Sequence, residues 1–189
     1  MWFGNLVTMK WWDDLWLNES FATMISFMCM DEAEGLEDMK LAWYMFADET
    51  WWGLGEDQLD TTHPIGTEVA STGVATDIFD GISYGKGGSW LHQLVFFFGK
   101  EVLKEGCTTY FAKYPFKNTE LKDFVAEMSK AAVKLGLDEV DMENWSSQWL
   151  YSAGCNEIGI DVSQEDGKIT NCNVVQSIYG KHEKNRLRC

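Results

Sequence analysis

Three short stretches of this chain hold side chains whose types and surroundings suit them to chemistry. In Trp16-Leu17-Asn18-Glu19-Ser20-Phe21-Ala22 a single carboxylate opens a run of residues that is apolar almost all round. An unpaired charge is costly in such a place. Glu19 therefore either caps and solvates a helix start or pairs with a cation. In Phe79-Asp80-Gly81-Ile82-Ser83-Tyr84-Gly85-Lys86-Gly87-Gly88-Ser89 a phenol stands among glycines where a loop enters a helix. Glycines permit close backbone approach, so the Tyr84 hydroxyl is either a packing group or a donor that reaches outward. In Thr62-His63-Pro64-Ile65 an imidazole precedes a proline in a long loop, and we read His63 as a structural hydrogen-bonding residue. The histidines are His63, His92 and His182, and none lies four residues from another. The sequence therefore has no helical H-x-x-x-H pair, the usual two-histidine face of a zinc peptidase.

The first stretch resembles a known family. Residues 1–24 are similar to the segment that follows the HExxH zinc motif in the aminopeptidase N family of metallopeptidases, above all in the run W-F-G-N-L-V-T-M-K-W-W-D-D-L-W-L-N-E. That family reads HExxH, a spacer of eighteen residues, then a glutamate inside W-L-N-E-[SG]-F-A. With Met1 at the first spacer position, Asn18 takes the eighteenth and Glu19 is that glutamate. The resemblance implies that Glu19 is the third zinc ligand, beside two histidines of the HExxH helix whose glutamate is the general base. It also implies that the chain begins one residue after the second zinc histidine. The fragment would then lack both histidines and the catalytic glutamate, and be inactive alone.

The tyrosine stretch is similar to the same family's F-D-x-I-x-Y-x-K-G-[AG], with Gly88 where most members have Ala. The resemblance makes Tyr84 catalytic, donating a hydrogen bond to the oxyanion of the tetrahedral intermediate. Thr62-His63-Pro64-Ile65 is similar to the family's [ST]-[ST]-H-P-[IV]. The implied activity is that of a zinc metallo-aminopeptidase, releasing N-terminal amino acids from peptides by zinc-activated water. It implies one Zn2+ per parent enzyme, peptide substrates with a free N-terminus, and a missing upstream half of the catalytic domain as the partner of this chain. The alternative is a non-enzymatic truncated paralogue, an interaction or structural module whose aromatic face needs a covering partner.

Several elements must position these residues. Residues 15–30 read as a helix with Phe21, Met24, Ile25 and Met28 at i, i+3, i+4, i+7, widened by Leu17 and Phe27. Gly35 breaks it from a second helix over 36–49 with Met39, Trp43 and Phe46. A loop rich in Gly, Thr and Asp follows over 53–74. Helical patterns return at 75–80, at 84–98 (Trp90, Leu91, Leu94, Val95, Phe97, Phe98), at 100–113, at 119–135 with Asn118 or Thr119 as N-cap, and at 141–153 with Trp145 and Trp149. Gly136 and Gly154 end the last two. Beyond residue 155 the pattern alternates, with Glu165-Asp166-Gly167-Lys168 as the turn of a β-hairpin. A lone hairpin is marginal. We therefore divide the chain into 1–154, the C-terminal part of a thermolysin-like helical catalytic domain by resemblance, and 155–189, the first strands of a small β-sandwich. The fold class is mainly α. The basic tail Lys181–Arg188 has no partner strand.

Composition sets outer limits. Apolar residues make up 46% of the chain and ten are Trp, enough for an aromatic-rich core. The net charge of −15 argues against nucleic acid, which needs clustered Lys and Arg. Cys29, Cys107, Cys155, Cys172 and Cys189 are scattered, with no C-x-x-C. That pattern fits reduced thiols better than a disulfide framework. The sequence leaves localisation and membrane anchoring open, and the cysteines favour the cytoplasm over a membrane-anchored ectoenzyme.

Overall fold

The run from Leu15, free of glycine and proline, folds in the computed structural model as helix α1, Leu15–Glu32; the structure describes residues 1–35, 41–137 and 141–178. α1 buries Trp16, Leu17, Ser20, Met24 and Phe27. The predicted stripe is therefore one flank of the buried face, with Phe21, Ile25 and Met28 packing half-buried against the core.

Helix α2 spans Ala42–Glu56 and so extends past the predicted helix end into the expected loop. Tertiary packing overrides the poor helix propensity of Gly53 here. A Cβ at that position would stand 2.6 Å from the Lys86 amide nitrogen and 2.7 Å from the Gly81 carbonyl oxygen. Residues 36–40 of the predicted second helix, Met39 among them, lie outside the described residues.

A loop then leads to α3, Thr72–Asp77, capped by Ser71. Ile82–Lys86 form a π-helical turn that runs directly into α4, Gly87–Phe98. Gly99, at φ +86, separates α4 from α5, Lys100–Lys113. α6 spans Leu121–Lys134, and its N-cap is Glu120 in a reciprocal capping box with Asp123. This corrects the expected Asn118 or Thr119 cap. Thr119 is instead buried, its hydroxyl 2.6 Å from the Tyr110 hydroxyl. It ends a short strand, β2, Lys117–Thr119, which pairs in parallel with β1, Val7–Met9. The sequence reading found neither strand. α7, Met142–Leu150, starts on an Asp141 cap.

Strands β3, Asn156–Glu165, and β4, Lys168–Ile178, form the expected antiparallel hairpin. Asp166 and Gly167 both have positive φ, as a two-residue primed turn requires. The chain is thus mainly helical and closes on a strand pair, as the resemblance implied. The basic tail lies outside the described residues.

The core is built on rings. Trp16 of α1 meets Trp90 of α4 edge to face at 5.8 Å, and Trp90 stacks on Trp145 of α7 at 5.5 Å. Trp11 is 50% exposed, its indole N–H donating to the Val69 carbonyl at 2.6 Å, and Phe97 is exposed on the outer face of α4. Ile158, Ile160, Val162, Ile169 and Val174 of the hairpin are also exposed. Among the described residues no helix is long and apolar enough to cross a membrane.

Candidate active site

Glu19 lies in the second turn of α1, and Tyr84 at the centre of the π-helical turn; both are half-buried. The two elements touch through the residues beside them. Ser20 Oγ donates to the Ser83 carbonyl at 2.6 Å. Gly87 makes this approach possible, since a Cβ there would overlap Ser20 Oγ. The Tyr84 phenol consequently lies near enough to the Glu19 carboxylate to feel its charge. Burial first, and then the Glu19 carboxylate, push the phenol up to about 12. It stays protonated, and a donor, across the physiological range. Trp52 stacks on the Tyr84 ring at 6.0 Å and Phe79 meets it at 6.2 Å. The structure thus brings together the two residues singled out in the sequence, which lie on separate elements of the chain.

The turn that carries Tyr84 is anchored at both ends. π-Helical turns are rare and occur frequently at functional sites. At its start, Asp80 Oδ1 accepts from the amides of Ile82 (2.9 Å) and Ser83 (3.1 Å), and the Tyr84 amide donates to the Asp80 carbonyl at 3.1 Å. Asp80 Oδ2 lies 3.0 Å from His63 Nε2, and His63 Nδ1 lies 2.7 Å from the Pro64 carbonyl oxygen. His63 is therefore a hydrogen-bonding loop residue, as expected.

At the other end, Lys86 Nζ lies 2.7 Å from Asp57 Oδ2 and donates to the carbonyls of Gly154 (3.2 Å) and Ser152 (3.4 Å). Asp57 Oδ1 accepts from Thr62 Oγ1 (2.7 Å) and the Gly154 amide (2.8 Å). The sequence reading missed Trp52 and Asp57. Both lie at the end of α2, in or beside the stretch read as loop, where no helical period pointed to them.

Glycine at position 85 is a packing requirement. A Cβ on Gly85 would overlap the Glu49 carbonyl oxygen of α2, whereas one on Gly88 would make ordinary contacts with the Phe46 ring at 3.5 Å and the Ser20 carbonyl oxygen at 3.8 Å. Gly85→Ala is expected to destabilise the fold by about 1–3 kcal/mol, because backbone must move. Gly88→Ala is expected to be neutral or stabilising by up to about 1 kcal/mol, from helix propensity alone. Urea unfolding of the two variants measures the contrast, and equal effects would contradict this packing.

Among the described residues no group of three or more His, Cys, Asp and Glu side chains is placed to hold a metal ion. Glu19 is one carboxylate with a phenol beside it, so these residues do not make up a complete metal site. His92 stacks on Trp43 at 4.5 Å, far in role from any ligand set. Cys107 is half-buried against the core, and desolvation pushes its thiol up to about 12, away from nucleophilic use. A cavity of about 700 Å³ is lined by Lys10, Trp11, Asp14, Glu68 and Tyr151 among others and includes neither Glu19 nor Tyr84.

The helical domain presents a carboxylate and a phenol from adjoining elements, side chains of the kind a peptidase uses. Comparison with known proteins gives the same class: the profile of the Peptidase family M1 domain matches residues 1–145. The chain belongs to that family. It is 40% identical over 172 residues to aminopeptidase N of Streptomyces lividans, covering 90% of this chain and 19% of that protein. It is 40% identical over 150 residues to human glutamyl aminopeptidase, covering 79% and 15%. It is 37% identical over 161 residues to probable aminopeptidase 1 of Sulfurisphaera tokodaii, covering 85% and 20%. The chain thus spans about a fifth or less of the length of these relatives.

Proposed function

We propose that this chain is part of a zinc aminopeptidase that releases N-terminal amino acids from peptides, with Glu19 as a zinc ligand and Tyr84 as the hydroxyl donor to the transition-state oxyanion. The observation that supports this most is the meeting of Glu19 and Tyr84 across the Ser20–Ser83 hydrogen bond. Zinc, when bound, supplies a Lewis acid and a water acidified toward neutral pH. A catalytic zinc site takes three protein ligands and keeps one position open. Glu19 offers one of them. We assign the other two and the general base to an HExxH segment outside these residues, on the register fixed by Asn18 and Glu19.

The part of this chain in the chemistry is then positional. α1 presents the carboxylate from a rigid helix. The π-helical turn presents the phenol, kept protonated, to charge that develops on the substrate carbonyl oxygen. We read residues 1–154 as the partial catalytic domain and 155–189 as the start of a β-sandwich, which would cover the exposed apolar faces of the hairpin. Localisation stays open, with the cytoplasm favoured over a membrane-anchored ectoenzyme on scattered cysteines that form no C-x-x-C.

The experiment joins the chain to an upstream HExxH segment and measures zinc and hydrolysis of an aminoacyl anilide together. The expected result is one zinc per chain, with metal and activity both lost in Glu19→Ala. Zinc retained at one per chain in Glu19→Ala would remove Glu19 from the ligand set. The chain by itself is expected to hold no stoichiometric zinc after dialysis against micromolar metal, because one carboxylate binds weakly. One tight zinc in the unextended chain would contradict this ligand assignment.

Exposed Tyr44, Trp51 and Trp52 favour a second reading, a non-enzymatic module whose partner covers that aromatic face. The coding sequence upstream of Met1 distinguishes the two. An in-frame H-E-x-x-H supports the enzyme, and a stop codon supports the module.

A further inference from the structure

The π-helical turn needs something to hold its leading end, and the residue that does so sits on a different loop. Both ring nitrogens of His63 face oxygen acceptors: the Pro64 carbonyl at 2.7 Å and Asp80 Oδ2 at 3.0 Å. A neutral imidazole has one N–H and would turn a lone pair toward one of these oxygens. An imidazolium donates to both. Asp80 is engaged on its other oxygen as well, by the amides of Ile82 and Ser83, and its carbonyl accepts from the Tyr84 amide. Asp80 therefore connects the His63 ring to three consecutive amides of the turn, two through its carboxylate and the third through its backbone carbonyl.

We propose that His63 is a positioning residue for Tyr84: its imidazolium pins Asp80, and Asp80 fixes the π-helical turn that aims the phenol. The consequence for catalysis rests on the reading of Tyr84 given above, whereas the linkage between ring and turn stands without it. Asp80 faces His63 directly, and Lys86, one turn further on, opposes its charge. Burial alone would lower the His63 pKa, but the Asp80 and Pro64 hydrogen bonds outweigh it and the group lies above its ordinary 6.5. Burial alone would raise that of Asp80, but His63 and the Ser83 and Ile82 amides outweigh it and the carboxyl lies below its ordinary 3.8.

The signs then follow from linkage. The His63 contribution is fully present below pH 6.5 and is lost as pH rises through the raised folded value. The Asp80 contribution is present above pH 3.8 and is lost as pH falls through the lowered folded value. Above the upper limit the turn loses its anchor while Asp80 keeps its charge.

The test titrates the isotopically labelled chain by nuclear magnetic resonance, following the His63 ring nitrogens, the Ile82 and Ser83 amide exchange rates and the Tyr84 ring signals. The expected result is a doubly protonated His63 that titrates above 6.5. Amide exchange at Ile82 and Ser83 should accelerate, and the Tyr84 signals should shift, with the same midpoint. His63→Ala should show the accelerated exchange at every pH. Ile82, Ser83 and Tyr84 unchanged through the His63 titration, or a His63 midpoint at or below 6.5, overturns the proposal.

In the protein extended by the HExxH segment, His63→Gln keeps one donor and loses the charge. It is expected to lower kcat on the order of ten- to a hundredfold, as a misaimed catalytic group does, with KM and zinc content unchanged. The wild-type fall in kcat above pH 6.5 should be absent from that variant. An intact linkage by resonance with a fully active Tyr84→Phe defeats the catalytic reading alone. An impaired Tyr84→Phe with no linkage defeats the present proposal alone.

Discussion

Replacing Asp57 by Ala is expected to lower the unfolding free energy by about 3–5 kcal/mol, the usual cost of removing one partner from a buried ion pair. Asp57 is 2% exposed, and its two oxygens serve Lys86, Thr62 and the Gly154 amide. Without it the Lys86 ammonium loses its carboxylate in a half-buried place, where the carbonyls of Ser152 and Gly154 remain as acceptors. An uncompensated charge there costs more than the pair gains when intact. Asp57→Asn keeps the Oδ1 acceptor for Thr62 and Gly154 and loses the charge and the acceptor facing Lys86, so its effect should be smaller than that of Ala. Equilibrium urea unfolding measures all three proteins. A loss below about 1 kcal/mol for Asp57→Ala, the size typical of an exposed pair, would show that solvent reaches Lys86. The same pair ties the π-helical turn to the junction at 152–154, two residues beyond Tyr84, so the variant should also loosen the presentation of the phenol.

The regions that were legible in the sequence are those whose signals are local. α1 could be read because an uninterrupted apolar run forms a helix whatever surrounds it. The hairpin could be read because Asp166-Gly167 demands its own turn geometry. α5 and α6 could be read because Gly99 and Gly136, both at positive φ, punctuate them. What failed depends on contacts distant in sequence. The end of α2 was placed too early because Gly53 reads as a breaker, whereas its lack of a side chain lets α2 lie against the backbone of Gly81 and Lys86. β1 and β2 escaped because three residues carry no period, and their pairing joins residues 7–9 to 117–119. The N-cap of α6 was misplaced because Thr119 is taken up by Tyr110.

The candidate site divides the same way. Glu19 and Tyr84 were found through motif resemblance, and the residue types around them suit the roles. Their contact depends on Ser20, Ser83 and Gly87, small residues whose value lies only in close approach. Asp80 was legible only as a motif letter. Its partner His63 was read as structural, and no pattern in the sequence links the two across the 63–80 interval. Trp52 is one of two adjacent tryptophans, and the sequence does not tell which of them faces the phenol.

Tyr84→Phe carries the largest expected effect on rate. The substitution removes one hydroxyl and keeps the ring that packs against Trp52 and Phe79. If the hydroxyl meets charge that appears only in the transition state, its loss lowers kcat and leaves substrate binding nearly unchanged. Removing one oxyanion donor costs about 10²–10³ in kcat, roughly 3–4 kcal/mol. The group is held protonated to about 12, so the wild-type rate should show no limb from Tyr84 ionisation between pH 6 and pH 10. The decisive measurement is the steady-state kcat and KM of Tyr84→Phe on an aminoacyl anilide, with zinc counted in the same sample, in the protein extended by its HExxH segment. The predicted result is kcat down by two to three orders of magnitude, KM within a few-fold of wild type and zinc still at one per chain. Near-normal kcat would make Tyr84 a packing residue and contradict the catalytic pairing of Glu19 with Tyr84.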